Sequence, residues 1–370
     1  MDELRKGCQL RPGELLIFNV PEEPVIRIGA VAQRIAIGVA ALFFLFELLF
    51  PVAFCQTLKQ AAKFDLPGPE GKRFDYLTID YEDHFLLSAH LGPGILYVID
   101  LRSNKVVKAI PGLPGITGLE YVPGTHKVYT SDWGEAKIGV VDLQSMTVTK
   151  RLATAAKPNG STYASPFHKV YVSDTLGKAV AVVDITKDEI VKTIEFDSET
   201  GMPQYDSSAR KVYVNLRNAN EIAEIDPATD TVLGKYSVDG CQFNHGMAVD
   251  SEHHRAFLLC AGNRTFTVFA LDTHKSIAHL PMPAGADVVK FDPGVSRIYV
   301  ACSSGFISVF EAKDADHYQK LEDFSVEKMV HSLAVDLATH RIYAPEQEEH
   351  GRPVSRMVVY EAVISDRSKP

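Results

Sequence analysis

The sequence is poor in cysteine and tryptophan and has no excess of positive charge. Five cysteines and one tryptophan occur in 370 residues, which is too little cysteine for a disulfide-stapled scaffold. The 38 Lys and Arg are outnumbered by 47 Asp and Glu, for a formal net charge of −9. That balance argues against bulk attraction to nucleic acid or to an anionic membrane surface. The hydrophobic fraction of 46% excludes a disordered chain.

Motifs of several common site chemistries are also absent. The sequence has no Gly-rich phosphate loop, no paired-cysteine metal knuckle, no CxxCH haem attachment and no GxSxG nucleophile elbow. Basic and aromatic residues do not interleave as single-stranded nucleic-acid binding requires. These absences exclude the sites that such motifs build, and they argue against nucleic acid as a partner.

One long apolar run lies near the N-terminus. Residues 35–55 read IAIGVAALFFLFELLFPVAFC, with Arg27 and Arg34 before them and small residues preceding a cleavage point at Gln56. This order of charge, apolar core and small residues is typical of a secretory signal peptide. We therefore expect residues 1–55 to be a leader and the protein to be periplasmic or secreted.

Two alternatives remain for this segment. The run is also long enough to span a bilayer, so an uncleaved N-terminal anchor is the main rival, and membrane contact is expected through this segment alone. A signal core rarely begins so far into a chain. Translation starting at Val31 would give an ordinary signal and would leave residues 1–30 untranslated.

Residues 56–370 are periodic, which predicts a single domain built of repeats. Similar segments begin 43, 42, 42, 44, 42 and 44 residues apart. They are HFLL (84), KVYT (127), KVYV (169), KVYV (211), RAFL (255), RIYV (297) and RIYA (341). A second apolar run ending in an acid follows each segment, and a third short run closes most units. Short runs rich in Val, Ile and Tyr, separated by Pro, Gly, Asp and Asn, predict strands joined by tight turns.

Four strands in about 42 residues is the period of a β-propeller blade. Seven such units predict an all-β, seven-bladed propeller of four-stranded antiparallel blades. The last unit stops after MVVYEAV without a fourth strand, whereas residues 59–66 resemble an orphan fourth strand. Pairing of that N-terminal strand with the C-terminal blade would close the ring and remove its open edges.

The repeats resemble those of a known family. VYTSDWGEAKIGVVDLQSMTVTKRL and VYVSDTLGKAVAVVDITKDEIVKTI are similar to the repeats of YVTN (YncE-like) β-propeller proteins. The resemblance covers nearly all of residues 56–370 and implies a propeller from an exported, bacterial family. It implies little about activity, because lactonases, quinoprotein subunits and pure binding modules share this architecture.

Equivalent positions in the repeats can be compared to find residues that break the pattern. Ten residues before each repeated segment, at the entry to the innermost strand, the sequence reads Phe74, Thr117, Asn159, Gly201, His245, Asp287 and His331. Asn159, His245, Asp287 and His331 are therefore candidates for a binding site at the opening of the central channel. Two imidazoles and a carboxylate suit a divalent metal or a base with its orienting group, so His245, Asp287 and His331 are also the metal candidates. A water-filled polar rim is the alternative.

A second group of candidates lies on loops at one end of the ring. They are Asp132, Trp133, Asp174, Arg217 and Asn263, with His350 nearby in EQEEHGRP. Asp132 and Asp174 also suit a simpler role, capping a turn through their own backbone.

Features present in every blade are expected to be structural. They are the acids Asp100, Asp142, Asp184, Asp226, Asp272, Glu311 and Glu361 and the aromatic stripe Tyr129, Tyr171, Tyr213, Phe257, Tyr299 and Tyr343. Of the cysteines after the leader, Cys241, Cys260 and Cys302, at least one has no partner. Cys260 and Cys302 are equivalents in adjacent blades, where the distance exceeds the disulfide limit, so we expect two buried thiols.

Taken together, these features favour an exported, non-catalytic binding or scaffold protein, with a protein or small-molecule ligand at one end of the channel. Two alternatives remain open. One is a lactonase or gluconolactonase-like hydrolase at the channel mouth. Against it, the Pro-Arg-His run of seven-bladed lactonases is absent, and Phe74 stands where gluconolactonase-like propellers have a first-blade glutamate. The other is an accessory subunit of a quinoprotein-type redox complex, whose cofactor would sit on another chain.

Overall fold

The computed structural model describes residues 56–364. In that range 28 strands form seven four-stranded antiparallel sheets, and the innermost strands contact one another around a closed cycle. The chain is a seven-bladed β-propeller. The fold expected from the repeats is therefore confirmed, whereas the expected leader, residues 1–55, lies outside the described residues.

Each of blades 1–4 runs outward from the channel through four consecutive strands. Their strands are β2 (Leu77–Asp80), β3 (Phe85–His90), β4 (Ile95–Asp100) and β5 (Lys105–Pro111); β6 (Ile116–Val122), β7 (Lys127–Asp132), β8 (Lys137–Asp142) and β9 (Thr147–Ala153); β10 (Pro158–Ala164), β11 (Lys169–Asp174), β12 (Ala179–Asp184) and β13 (Glu189–Glu195); β14 (Thr200–Asp206), β15 (Lys211–Leu216), β16 (Glu221–Asp226) and β17 (Thr231–Ser237). One turn of 3-10 helix, Ser165–Phe167, joins β10 to β11.

Blades 5 and 6 follow the same order, and blade 7 takes its outermost strand from the other end of the chain. Their strands are β18 (Asn244–Asp250), β19 (Arg255–Cys260), β20 (Thr265–Ala270) and β21 (Lys275–Pro281); β22 (Ala286–Asp292), β23 (Arg297–Cys302), β24 (Phe306–Ala312) and β25 (Tyr318–Ser325); β26 (Ala334–Asp336), β27 (Arg341–Glu349), β28 (Arg352–Ala362) and β1 (Leu58–Asp65).

The ring is closed by pairing between the two ends of the described chain. β1 pairs antiparallel with β28, from Leu58 opposite Ala362 to Asp65 opposite Arg356. Leu58 is fully buried and belongs to a hydrophobic cluster with residues of blades 6 and 7. The expected completion of the C-terminal blade by an N-terminal strand is confirmed, and it covers an edge that would otherwise expose unpaired backbone groups.

The features repeated in every blade stabilise the fold, as expected. The aromatic stripe is buried, and the hydroxyls of Tyr129 and Tyr171 donate hydrogen bonds to Asp188 and Asp230 of the next blade. Asp100 at the end of β4 accepts hydrogen bonds from backbone amides of its own turn, at 3.1 and 2.7 Å.

The turn after each innermost strand contains a residue in the left-handed region. These residues are His84, His126, His168, Arg210, His254, Ser296 and His340, with φ between 52° and 59°. Three of the histidines reach an acid of the preceding blade: the Nδ1–carboxylate distances are 3.0 Å for His126–Asp83, 3.0 Å for His254–Asp206 and 2.8 Å for His340–Asp292. These pairs connect neighbouring blades at the end of the ring opposite the strand entries.

The cysteine prediction was partly wrong. Cys260 is joined by a disulfide to Cys241 of the same blade, whose Cα lies 5.2 Å away. Only Cys302 is a buried thiol in the described part of the chain. Cys241 lies in the connection leading into blade 5, outside the repeated positions, so comparison of equivalent residues could not pair it with Cys260.

No helix within residues 56–364 is long and apolar enough to cross a membrane.

Candidate functional site

The channel mouth is the end of the ring at which the innermost strands begin. Strand pairing fixes the equivalent positions there: Asp80 pairs with Phe85 in blade 1 as Val122 pairs with Lys127 in blade 2. Blade 1 therefore begins its second strand at Phe85, one residue later than its sequence suggested, and Asp75 rather than Phe74 takes the mouth position. We call the corrected set the inner ring: Asp75, Thr117, Asn159, Gly201, His245, Asp287 and His331.

This correction changes the chemistry of the mouth. Phe74 is buried and stacks on His90 with 3.9 Å between ring centroids, whereas Asp75 is 2% exposed and lies 3.0 Å from a guanidinium nitrogen of Arg73. A carboxylate is therefore present at the blade 1 position where the sequence comparison found an apolar ring.

Three of the four inner-ring candidates are brought together. His245 Nε2 lies 3.2 Å from Asp287 Oδ1. His331 Nε2 lies 3.8 Å from Asp75 and 4.0 Å from Asp287, beyond hydrogen-bond distance in both cases. The fourth candidate, Asn159, is 8% exposed at the same register on β10.

Charge coupling perturbs these groups. Burial would raise the pKa of Asp287, but the adjacent His245 and the charge of His331 hold it well below its usual value. Burial would lower the pKa of His331, but the carboxylates of Asp75 and Asp287 outweigh burial and raise it. The surroundings of these two residues therefore favour the ionised form of Asp287 and the protonated form of His331.

A second set of equivalent residues lies two positions before the inner-ring residue of each blade. This outer ring is Arg73, Gly115, Lys157, Glu199, Phe243, Gly285 and Met329. Its carbonyls repeatedly accept the amide of the residue that follows the second strand, as in Trp133 to Gly115 at 3.2 Å and Arg217 to Glu199 at 2.8 Å. This backbone bond holds the two loops of a blade together at the mouth.

Two cationic side chains of the outer ring lie over the ring of Trp133. Lys157 Nζ lies 3.7 Å from the centroid of its ring, and the Arg73 guanidinium carbon lies 5.7 Å from it, both within the range of cation–π attraction. Gly115 is required here, because a Cβ at that position would lie 2.2 Å from Trp133 Cδ1.

Arg217 completes the group. It lies 3.3 Å from Glu199 and 4.2 Å from the ring centroid of Phe243. Burial, together with the charges of Arg217 and Arg73, lowers the pKa of Lys157. Trp133 and Arg217 were sequence candidates, whereas Arg73 and Lys157 were missed. A comparison of the blades at the positions two residues before the inner ring would have found both.

A pocket of about 240 Å³ opens at the mouth between blades 6, 7 and 1, lined by Arg73, Asp287, Ser303, Met329 and His331 among others. Within residues 56–364 no group of three or more His, Cys, Asp and Glu side chains is placed to hold a metal ion. The geometry thus gives no support to a divalent metal on His245, Asp287 and His331.

The remaining rim candidates have local roles. Asp174 accepts backbone amides of Ala156, Lys157 and Gly177 at 2.6 to 2.9 Å, which confirms turn capping and fixes the loop that carries Lys157. Asp132 does not cap its turn. Both of its carboxylate oxygens are buried without a hydrogen-bond partner among the described residues, and burial raises its pKa to about 7.

Asn263 binds the backbone of a neighbouring loop through Gly240 and Gln242. These contacts place it outside the cluster of charged groups at the mouth.

The channel continues below the mouth past two charged groups. Glu120 accepts the backbone amide of Tyr163 at 2.9 Å, and burial raises its pKa to about 7 while the charge of Lys290 opposes the shift. Burial also lowers the pKa of Lys290.

A separate pocket of about 330 Å³ lies beside blade 7, where Glu327, Glu346 and Glu349 meet. Glu349 is paired with Lys63 and Arg356 at 2.6 and 2.7 Å. His350, the remaining loop residue noted in the sequence, lies 3.0 Å from Glu327 and thus belongs to this pocket.

Comparisons with known proteins identify the architecture but no family. No family model and no curated protein matches the chain. The structure resembles the WD40 repeats of RRP9, with a TM-score of 0.71 and 11% identity over 83% of this chain and 99% of that one. It also resembles U3-55K, with a TM-score of 0.69 and 10% identity over 81% and 99%. These likenesses are evidence for the seven-bladed fold alone, and no match supports the finer YVTN resemblance.

Proposed function

We propose that the chain is a non-catalytic binding protein whose ligand occupies the channel mouth. One observation carries this proposal: Arg73, Asp287 and His331, which depart from the repeat, line a pocket of about 240 Å³ at the channel mouth. By contrast, the residues that recur in every blade are buried within the blades or hold the turns of the blades. A concave pocket with a few convergent polar groups is the usual form of a ligand site.

The size and lining of the pocket favour a small molecule over a protein partner. Asp75 and His331, at 2% and 6% exposure, are too recessed to meet a flat protein surface. His331 also lines the pocket, so a ligand that enters the mouth can reach it. Their ion pairs also hold them in place before the ligand arrives, which lowers the entropic cost of binding.

A thermal-shift screen of small metabolites tests the proposal. A ligand that binds the folded state alone raises the melting temperature. We expect such ligands to stabilise the wild type but not Trp133→Ala, which removes the ring that holds Lys157 and Arg73. Tyr81→Ala is the matched control, because Tyr81 is an exposed aromatic residue on the turn after β2. Ligands that stabilise both variants equally would place the site elsewhere.

A channel-mouth hydrolase is the second candidate, and Asp75 is the observation that favours it. The carboxylate missing from the sequence comparison is present, and His245 lies 3.2 Å from Asp287, as a general base lies near its orienting acid. Hydrolysis of a panel of lactones and esters, abolished in His245→Gln, would establish this activity. Rates equal to the buffer background would reject it.

We propose further that the protein is exported, in the periplasm or secreted, with an N-terminal anchor as the alternative. The signal-like order of residues 35–55 supports export, as does the Cys241–Cys260 disulfide, a bond that persists in oxidising compartments. Sequencing the N-terminus of protein from its native host tests both points. A mature chain starting at Gln56 is expected, and an intact leader in a membrane fraction would establish the anchor.

A further inference from the structure

The cationic groups at the mouth outnumber the carboxylates that pair with them. The inner-ring and outer-ring carboxylates are Asp75, Glu199 and Asp287, and each has a basic partner. The partners are Arg73 at 3.0 Å, Arg217 at 3.3 Å and His245 at 3.2 Å, respectively. Lys157 makes no ion pair with any residue of 56–364, and its ammonium rests on the ring of Trp133 instead.

Arg217 and Lys157 keep unused donors at the mouth. Arg217 Nε, which can only donate, is buried with no hydrogen-bond partner among the described residues. His331 adds no free donor, because its Nδ1 lies 3.1 Å from the carbonyl of Met329 and its Nε2 faces Asp75 and Asp287 at 3.8 and 4.0 Å. Lys157 adds three N–H groups.

Arg217 Nε has no acceptor among the described residues, and the positive charges of Arg217 and Lys157 repel each other. Buried polar groups without a partner cost free energy, and like charges at short range add to that cost. A ligand that brings negatively charged oxygen atoms removes both costs at once, whereas a neutral or cationic ligand does not.

We propose that the mouth binds a small molecule through an oxyanion, a carboxylate or phosphate group, held by Lys157 and Arg217. This rests on the proposed function, whose ligand class it specifies. Trp133 holds Lys157 against its ring, and Glu199 holds Arg217 at 3.3 Å. The donors are therefore positioned by groups that the ligand does not need to displace.

Titration calorimetry at low ionic strength tests this class directly, with malonate, citrate and inorganic phosphate as probes. Malonamide is the matched neutral probe, because it keeps the size and shape of malonate without its charge. Lys157→Gln is expected to weaken malonate binding about tenfold, the loss of one charge-assisted hydrogen bond. Lys150→Gln is the control, since Lys150 is an exposed lysine on an outermost strand.

The outcomes separate the two proposals. Binding of malonate or phosphate that Lys157→Gln weakens and Lys150→Gln does not supports the oxyanion site, and the stronger probe identifies a carboxylate or a phosphate source. Malonamide binding as tightly as malonate would overturn the oxyanion class. Oxyanion binding unaffected by Lys157→Gln would overturn it as well. If neutral ligands bind and Trp133→Ala abolishes their binding, the binding function survives without the oxyanion.

Discussion

His331 illustrates how a single residue at the mouth couples charge to stability. Asp75 and Asp287 face it across the mouth at 3.8 and 4.0 Å, Arg73 pairs with Asp75, and the net effect is a raised pKa. A histidine whose pKa is raised on folding contributes stability below its unfolded value of about 6.5, and this contribution is lost as pH rises through the folded value.

This gives a testable prediction for pH. The free energy of unfolding of the wild type, relative to that of His331→Gln, should fall as pH rises above about 6.5. Urea denaturation at several pH values measures it, and His317→Gln, at an exposed histidine of blade 6, is the control. A difference between wild type and His331→Gln that does not change with pH would contradict the ionised pair.

Glu346 should also lower stability as pH rises, because its ionised form is destabilising. It is 5% exposed beside Glu327 and Glu349, and burial together with these charges raises its pKa to about 7. An acid with a raised pKa loses stability as pH rises from its unfolded value to its folded value. Glu346→Gln should therefore stabilise the protein at pH 8 by roughly 1–3 kcal/mol and have little effect at pH 4.

Glu348→Gln is the matched control for this measurement, since Glu348 is a neighbouring and more exposed acid on the same strand. Equal unfolding free energies for the two glutamine variants at pH 8 would show that Glu346 carries no buried charge.

At the same scale, the sequence was least informative where the repeat is irregular. His84 precedes Phe85 as Lys or Arg precedes an apolar residue in other blades, so HFLL suggested a start one residue too early. That error replaced Asp75 with Phe74. Arg73 and Lys157 lie in connections before the innermost strands of blades 1 and 3. Both were missed because what marks them as site residues is their approach to Trp133, which belongs to blade 2.

At the scale of elements, β1 is the strand on which closure depends. Leu58 is fully buried among side chains of blades 6 and 7, and the backbone amide and hydroxyl of Thr57 each donate to Glu322 at 2.7 Å. Leu58→Ala should lower the free energy of unfolding by about 2–5 kcal/mol, the usual cost of emptying a buried leucine site.

Chemical denaturation measures this loss. Gln60→Ala on the exposed face of β1 is the control, expected within about 0.5 kcal/mol of wild type. Leu58→Ala as stable as Gln60→Ala would mean that β1 does not close the ring.

The strands themselves were predictable because each blade repeats the same alternation of apolar residues and turns. Contacts between blades were not, since they join residues far apart in sequence. His340 and Asp292 are 48 positions apart, and Tyr171 and Asp230 are 59 apart. A pattern within one repeat cannot identify such partners.

At the scale of the whole molecule, seven similar blades make a nearly symmetric ring, and function depends on what breaks that symmetry. The departures at the mouth are acids, bases and aromatic rings, set on a scaffold whose repeated aromatic residues are buried. The fold could therefore be predicted from the repeats, whereas the ligand site depends on side chains that occur once.

The sole tryptophan of the chain provides the most direct test that ligands bind at this mouth. Trp133 contacts Lys157 and lies near Arg73, so a ligand there must change its fluorescence. Titrating a stabilising ligand while recording tryptophan emission should give a saturable change, with the same dissociation constant as calorimetry. A ligand that saturates the protein in calorimetry, leaves the emission unchanged and binds Trp133→Ala with undiminished affinity would contradict the account.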